Sequence, residues 1–432
     1  MQPPKAWSLR TYRAATKLLR PVANYALERR LRAGKEDPSR LSERRGNPSL
    51  PRPEGKLLWF HGASVGESLS ILPLVDALTQ QHPDLHFLVT TGTVTSASLM
   101  ETRLGERAVH QYIPIDQPHF VRSFLDHWKP DAAIFVESEL WPVMLGECAK
   151  RGFPMTLING RMSPRTFDSW QGRKKAATEL LSVFDLIIAQ NAENAERFEL
   201  LGNRHVGTLG NLKLAADPLP VPEHLKAEVA GWIDGRPRWL AASTHETEEI
   251  QVLSAHRQIL AQLPNTVLFL APRHPARGDE IMEICHDHGF PVARRSHGEV
   301  ITEDTQVYLA DTLGELGIFY SLSDIAFVGG SFPAIGGHNP LEPARLGCAI
   351  LHGPEVFNFA DTYSAMRSTG SAALVRNERD LAASLTRLLT DEKTRLAMSE
   401  HAADWAEDSA RTVLEALIEA LEPPLARGGI GS

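Results

Sequence analysis

Cysteine is scarce in this chain: Cys148, Cys285 and Cys348 are the only three in 432 residues, and they stand far apart. Without a C-x-x-C pair, a disulfide framework and a cysteine-rich zinc site are excluded, and a reducing compartment fits best. Long apolar runs are missing too. No stretch reaches the roughly 18 apolar residues that a membrane-crossing helix needs, so the sequence predicts none. Glycine and proline, at 31 and 29 residues, are not enriched, which excludes collagen-like and low-complexity readings. What remains is a globular composition, 43% hydrophobic and 23% charged. The length suits two domains of roughly 200 residues each.

Positive charge is short in the body and concentrated at the start. Residues 1–35 hold Lys5, Arg10, Arg13, Lys17, Arg20, Arg29, Arg30, Arg32 and Lys35 against the single acid Glu28. The chain as a whole carries −8, so this leader is set on a strongly acidic body. An acidic body argues against nucleic-acid binding. A basic leader on it suggests a segment aimed at a surface. Residues 7–27 read as an amphipathic helix: Trp7, Leu9, Tyr12, Leu18, Leu19, Val22, Tyr25 and Leu27 interleave with Arg10, Arg13, Lys17 and Arg20, with a kink expected at Pro21. Basic and aromatic residues together suit an anionic membrane surface. A solvated arm, or a helix docked on the body, is the alternative. No uninterrupted apolar core or small-residue cleavage site follows, so it does not read as a secretory signal. Residues 34–55, with Gly34, Pro38, Gly46, Pro48, Pro51, Pro53 and Gly55, read as a connecting loop.

From residue 56, short apolar runs alternate with helical stretches. Leu57–Phe60, His86–Thr90, Ala132–Val136, Met155–Ile158 and Leu186–Ala189 are strand candidates. Pro218, Pro220, Pro222, Gly235 and Pro237 then mark a break. The pattern restarts with Trp239–Ala242, Val267–Ala271, Val307–Leu309, Ile325–Val328 and Ala349–Leu351. This predicts an α/β protein with two doubly wound, Rossmann-like domains facing a cleft. The expected division is a leader at 1–35, a first domain at 36–215, a linker at 216–237 and a second domain at 238–432. The last part, 392–424, reads as helices. In such sheets ligands bind beyond the carboxyl ends of the strands, so the strand exits are where chemistry is expected.

Three of those exits share the S/T-x-x-E pattern of a capping box: Ser64 to Glu67, Ser243 to Glu246, and Thr312 to Glu315. Each could simply cap a helix. A capped helix N-terminus after a strand is also an anion site, so three of them suit a polyanionic ligand. Glu67 follows His61-Gly62-Ala63, whose small Gly62 and Ala63 permit close approach, and could deprotonate a hydroxyl. Capping competes with that role, since a carboxylate bound to backbone N–H groups loses basicity. The stretch Phe327 to Ala344 is the most specific. Gly329 and Gly330 end a strand, Gly336 and Gly337 suggest an open loop, Asn339 is a good N-cap and Pro340 a good first helical residue. Glu342 could accept hydrogen bonds from a ribose diol. This points to nucleotide binding. Arg273, in Pro272-Arg273-His274-Pro275, could grip a phosphate. Glu137-Ser138-Glu139 puts two carboxylates at a strand exit, and Lys213 brings a cation, though each alone is a weak sign. His286 and His288, two residues apart, face different sides of a helix and read as surface rather than metal ligands.

Together these stretches resemble the 3-deoxy-D-manno-octulosonic acid (Kdo) transferases of lipopolysaccharide synthesis. The resemblance runs through His61 to Glu67, Glu137 to Pro142, Gly210 to Lys213, Ser243 to His245, Pro272 to Pro275 and Gly336 to Ala344. It implies a GT-B glycosyltransferase that moves Kdo from CMP-Kdo to lipid IVA, a lipid A precursor, with inversion and without a metal or cofactor. It implies an enzyme at the cytoplasmic face of the inner membrane, attached peripherally or by its N-terminus. By resemblance Glu67 is the general base, and Glu137 and Lys213 stabilise the transition state. The CMP contacts would be Pro272, Arg273, Leu313, Gly314, Glu315, Asn339, Pro340, Leu341 and Glu342. The departure lies in the leader, poorer in apolar residues and richer in Arg than the family's usual anchor. The competing class is a nucleotide-sugar 2-epimerase, which shares the architecture but has no need of a basic leader.

Overall fold

The computed structural model describes residues 9–137, 139–215, 217–233 and 235–431, and for Arg10, Thr11, Arg13 and Lys213 the backbone alone. In the first half the strands are β1 (Leu57–His61), β2 (His86–Thr91), β3 (Ala108–Tyr112), β4 (Ala132–Val136), β5 (Met155–Gly160), β6 (Leu186–Ala189) and β7 (Gly207–Thr208). In the second they are β8 (Arg238–Thr244), β9 (Val267–Pro272), β10 (Val292–Arg294), β11 (Val307–Leu309), β12 (Ile325–Val328), β13 (Ala349–His352) and β14 (Ala372–Leu374). Among the described residues they form two seven-stranded sheets, ordered β3-β2-β1-β4-β5-β6-β7 and β10-β11-β9-β8-β12-β13-β14. Neighbouring strands pair in parallel, as at Leu57 with His86 and Arg238 with Val267.

The reason is written in the strands. All five residues of β1 and of β4 are buried, because helices cover both faces of each sheet. Trp59, Trp128 and Phe135 fill one side of the first sheet, and Phe60, Phe87 and Val136 the other. Each such side chain contributes about 1.5–3 kcal/mol by leaving water. Trp239 and Phe327 do the same work on one face of the second sheet, Phe269 and Tyr308 on the other. Helix starts are fixed by local chemistry. Ser64, Thr93, Ser163, Asn191 and Asn377 each accept a backbone N–H at an N-cap.

The chain folds as two compact units: residues up to Asp217 together with those from Ala410 onward, and Pro218–Ser409. The segment 216–237, expected to be a linker, carries a helix, Glu223–Ile233, whose Val229 and Ile233 are buried in the second unit's core. The end of the chain is one helix, Glu392–Arg427, where several were expected. Its Val413, Leu417, Leu421 and Leu425 belong to the first unit's core, under one face of the sheet.

The leader departs from the single kinked helix. It forms two helices, Leu9–Leu18 and Arg20–Arg32, with the break before Pro21 rather than at it. A proline fits the first turn of a helix, where its missing N–H is not needed, and Pro21 stands in the first turn of the second helix, just after Arg20. Leu9 and Leu27 are buried and Tyr12 packs on the first unit's core, so part of the leader is docked. Leu18, 81% exposed, and Leu19, Val22 and Tyr25 stay outside beside Arg20 and Arg29. Lys5 and Trp7, and the side chains of Arg10 and Arg13, lie outside the described residues. No described helix is long and apolar enough to cross a membrane. The expected loop at 34–55 is a pinned strap. Glu43, fully buried, accepts the Tyr112 N–H at 2.8 Å and pairs with Arg40 at 2.9 Å.

Candidate active site

Both sheets reverse strand order at the pair where ligands bind in such folds: β1 beside β4, and β8 beside β12. The loops leaving those four strands carry half of the candidate residues: Glu67, Glu137 and the run Asn339 to Glu342.

In the first unit Glu67 sits in the first turn of the helix Val65–Gln81, 8% exposed. Its carboxylate accepts the Ala63 N–H at 2.7 Å and the Ser64 hydroxyl at 2.6 Å. Ser64 in turn accepts the Glu67 N–H, so the expected capping box is present here. Gly62 makes the geometry available: a Cβ there would stand 2.9 Å from Ile71 Cδ1 and 3.1 Å from Glu67 Cβ. Capping and basicity compete, and burial wins. Desolvation raises the Glu67 carboxyl above its ordinary value despite the Ser64 and Ala63 hydrogen bonds, and the charges of Glu137 and Glu139 add to the rise. A carboxylate raised in this way is better matched to taking a proton near neutral pH.

Glu137 leaves β4 with φ 63. A left-handed backbone at a non-glycine residue costs energy and is found preferentially where function fixes it. Among the described residues six non-glycine positions have positive φ. Lys129 and Asn203 end helices. The other four, Glu137, Asn159, Ser243 and Thr247, lie at or just beyond the exits of β4, β5 and β8. Pairing is irregular at Asn159 and at Ser243. The strain therefore collects at the ends where the candidate residues stand.

His61, read in the sequence only as part of the stretch before Glu67, and Asn159, which the sequence did not single out, complete the first cluster. His61 is fully buried at the end of β1, with Nδ1 3.0 Å from the Thr90 hydroxyl and Nε2 3.8 Å from Glu139. Burial opposes ionisation of Glu139, but His61 and the Trp141 indole N–H hold its carboxyl below the ordinary value. Asn159, also buried, accepts the Leu212 N–H at 3.1 Å and so fixes the turn Leu212–Ala215 that carries Lys213. The Lys213 side chain lies outside the described residues. Beside this cluster a cavity of about 470 Å³ is lined by Tyr12, Leu19 and Val22 of the leader and by Glu139, Leu140 and Trp141. Sequence reading had no means of finding it, because it needs the leader docked.

In the second unit the two remaining capping boxes are absent. The helix after β8 starts at Glu248, with Thr247 at its N-cap making no side-chain bond. Glu248 instead reaches across to β12. Its carboxylate accepts the N–H groups of Gly330 at 2.7 Å, Ser331 at 3.2 Å and Phe332 at 3.1 Å, and of His245 at 3.3 Å. Those amides form an anion nest, and the chain fills it with its own carboxylate. At Thr312 the box fails differently. Glu315 takes Arg295 in a two-pronged pair at 2.9 and 3.0 Å and the Thr312 hydroxyl, and these bonds hold its carboxyl below the ordinary value. Leu313 is exposed and Gly314 has φ 82.

The Gly336-Gly337 loop was expected to be open. Both glycines are buried, and Gly337 N–H donates to Gly330 at 2.8 Å. The helix Leu341–Arg345 is five residues long, with Asn339 accepting the Leu341 N–H at 3.2 Å and Pro340 at the N-cap. Burial pushes Glu342 up to about 6, against the pull of Asn339, Arg273 and Arg345. Pro272 ends β9, and Arg273 N–H donates to Thr244 at 3.0 Å, tying that exit to β8. The Arg273 side chain is exposed and has no carboxylate partner among the described residues. Arg277, Arg294 and Arg295 each have one. The second unit thus brings Pro272, Arg273, Asn339, Pro340, Leu341 and Glu342 to the exits of β9 and β12, and Leu313, Gly314 and Glu315 to the segment after β11.

Residues 39–216 match the family model described as 3-deoxy-D-manno-octulosonic-acid transferase (kdotransferase). A 3-deoxy-D-manno-octulosonic acid transferase of Rickettsia bellii is 35% identical over 389 residues, covering 90% of this chain and 92% of its own. The Haemophilus influenzae transferase of the same description is 34% identical, with 90% and 92% covered. Among solved structures, the UDP-GlcNAc 2-epimerase from Neisseria meningitidis bound to UDP-GlcNAc superposes with a TM-score of 0.56 at 14% identity, over 84% of this chain and all of that one. That likeness is one of fold: two Rossmann-like units, the GT-B arrangement of elements.

Proposed function

The chain belongs to the 3-deoxy-D-manno-octulosonic acid transferase family, and from that premise we propose that it transfers Kdo from CMP-Kdo to lipid IVA in lipopolysaccharide synthesis. It is a glycosyltransferase, and the reaction proposed is a single inverting displacement. Glu67 takes the proton of the acceptor hydroxyl as its oxygen bonds to the anomeric carbon of Kdo. The bond from that carbon to the CMP phosphate breaks, and CMP leaves with the electron pair. Positive charge grows on the sugar and negative charge on the phosphate. Glu137 faces the first and Lys213 the second in this scheme. Arg273 holds the phosphate, while Leu313, Gly314, Glu315, Pro272 and the run Asn339 to Glu342 hold the nucleotide.

The observation that carries the reading is buried Glu67 at the exit of β1, raised above its ordinary value by burial and by Glu137 and Glu139. The docked leader supports a lipid acceptor. The largely apolar cavity under its helices adjoins the loop that bears Glu137 and Glu139. Exposed Leu18, Val22 and Tyr25 with Arg20, Arg29 and Arg32 suit peripheral attachment to an anionic leaflet, which we place at the cytoplasmic face of the inner membrane. The epimerase alternative rests on fold alone, and fold does not set function.

The test is transfer itself. Purified protein in detergent receives lipid IVA and freshly generated CMP-Kdo, and the lipid is weighed by mass spectrometry. A product heavier by one or more Kdo residues is expected. Epimerised nucleotide sugar with unchanged lipid would overturn the reading.

A further inference from the structure

Two histidines of the second unit meet at the same strand exits. His245 follows β8, and His338 directly precedes Asn339. Their Nε2 atoms are 2.9 Å apart. The ring planes differ by 4° and the centroids are 5.1 Å apart. Parallel rings whose nitrogens touch while their centres stay that far apart lie edge to edge in nearly one plane. This is an in-line hydrogen bond rather than a face-to-face stack. Such a bond needs one Nε2 with a proton and one without.

The surroundings hold the backbone at both residues. Glu248 takes the His245 N–H and the amides of Gly330, Ser331 and Phe332. Tyr363 donates its hydroxyl to the His338 carbonyl at 2.9 Å. Gly330, with φ 64, leaves room: a Cβ there would lie 3.0 Å from the His338 ring and 3.3 Å from that of His245. From the segment after β9, Arg273, His274 and Arg277 face the pair, and His274 meets the His245 ring edge-on at 5.7 Å. Glu342 lies one turn beyond His338 on the same stretch.

We propose that His245 and His338 are a positioning pair whose shared proton clamps the segment Gly336–Glu342 to the exit of β8 in the form that receives the nucleotide. The proposal rests on the donor reading above. Neither ring is asked to touch the reacting atoms. Two protonated rings would present two donors to each other and break the clamp. Burial, with the neighbouring cations, keeps both rings below the ordinary histidine value, His338 at about 4. The pair therefore stays singly bridged where a free histidine takes a second proton.

The test uses the full chain with CMP as the probe. In long-range ¹H–¹⁵N spectra of histidine-labelled protein at about pH 6, below the usual value of about 6.5, one of the two rings should show a protonated Nε2 and the other a bare one. Both rings charged at that pH would overturn the proposal. By calorimetry, His245→Ala and His338→Ala should each weaken CMP binding about tenfold, with the double variant no weaker than either, as for one shared interaction. His338→Gln, which can still hydrogen-bond at the Nε2 position, should recover most of the loss. Additive losses, or an Ala variant that binds as the parent does, would sink it. A parent protein that binds no CMP at any pH would overturn the donor reading, and the role of the pair with it, whereas the spectra report on the bond alone.

Discussion

The two sheets have the same topology around their reversal points and opposite chemistry at them. At the exits of β1 and β4 the first unit gathers carboxylates, Glu67, Glu137 and Glu139, and burial raises Glu67 above its ordinary value. At the exits of β8, β9 and β12 the second unit gathers His245, Arg273, His274 and His338. Buried Glu248 there is consumed by backbone amides, and buried Glu249 by Arg277. One frame thus presents a cluster of carboxylates in one unit and a cluster of histidines and an arginine in the other, as the proposed division between proton acceptor and anion holder requires. The frame supplies the position, and the loop residues supply the sign of the charge.

The strongest way to break this comparison is Glu67→Gln. If the first unit provides only the base, kcat should fall by about two to four orders of magnitude, the range of general-base contributions, while CMP binding is unaltered. A folded Gln variant with undiminished turnover would remove Glu67 from the mechanism. If CMP binding fell in step, the division of labour would be wrong. Arg273→Ala asks the converse question. An exposed guanidinium without a carboxylate partner should lose an anion and little else. CMP binding should weaken by about 10- to 100-fold, as for one charge-assisted hydrogen bond, with the melting temperature held. A matching loss for cytidine, which lacks the phosphate, would show that Arg273 does not grip the phosphate.

How far all this could be read in advance follows from burial. The ten strands expected from apolar runs are all present. The four that escaped are β3, β7, β10 and β14, the edges of the two sheets. Edge strands are short and bury less, so β7 has two residues and β3 reads Ala-Val-His-Gln-Tyr, with polar residues breaking the run. The capping boxes show the limit of local grammar. At Ser64 nothing competes for the carboxylate's place. At Ser243 a strand irregularity shifts the helix start to Glu248, and at Thr312 Arg295, 20 residues earlier and on the edge strand's exit, takes Glu315. Both outcomes depend on pairings between residues distant in sequence, which spacing does not encode. The contacts of His61 and Asn159 and the meeting of His245 with His338 could not be read for the same reason.

Asn159 offers the finest test. It stands at the exit of β5 with φ 52, and its Oδ1 holds the Leu212 N–H. Glycine accepts that backbone conformation, so Asn159→Gly removes the hydrogen bond without adding strain. The net value of such a bond is about 1 kcal/mol, so the expected cost is no more than about tenfold in kcat, with donor KM little changed. The loss would arise because the turn carrying Lys213 is held less well, and the second unit keeps its nucleotide contacts. A rise in KM with constant kcat would instead tie that turn to donor binding. The proposed contrast, a first unit for the chemistry and a second for the nucleotide, would then have to be redrawn around Lys213.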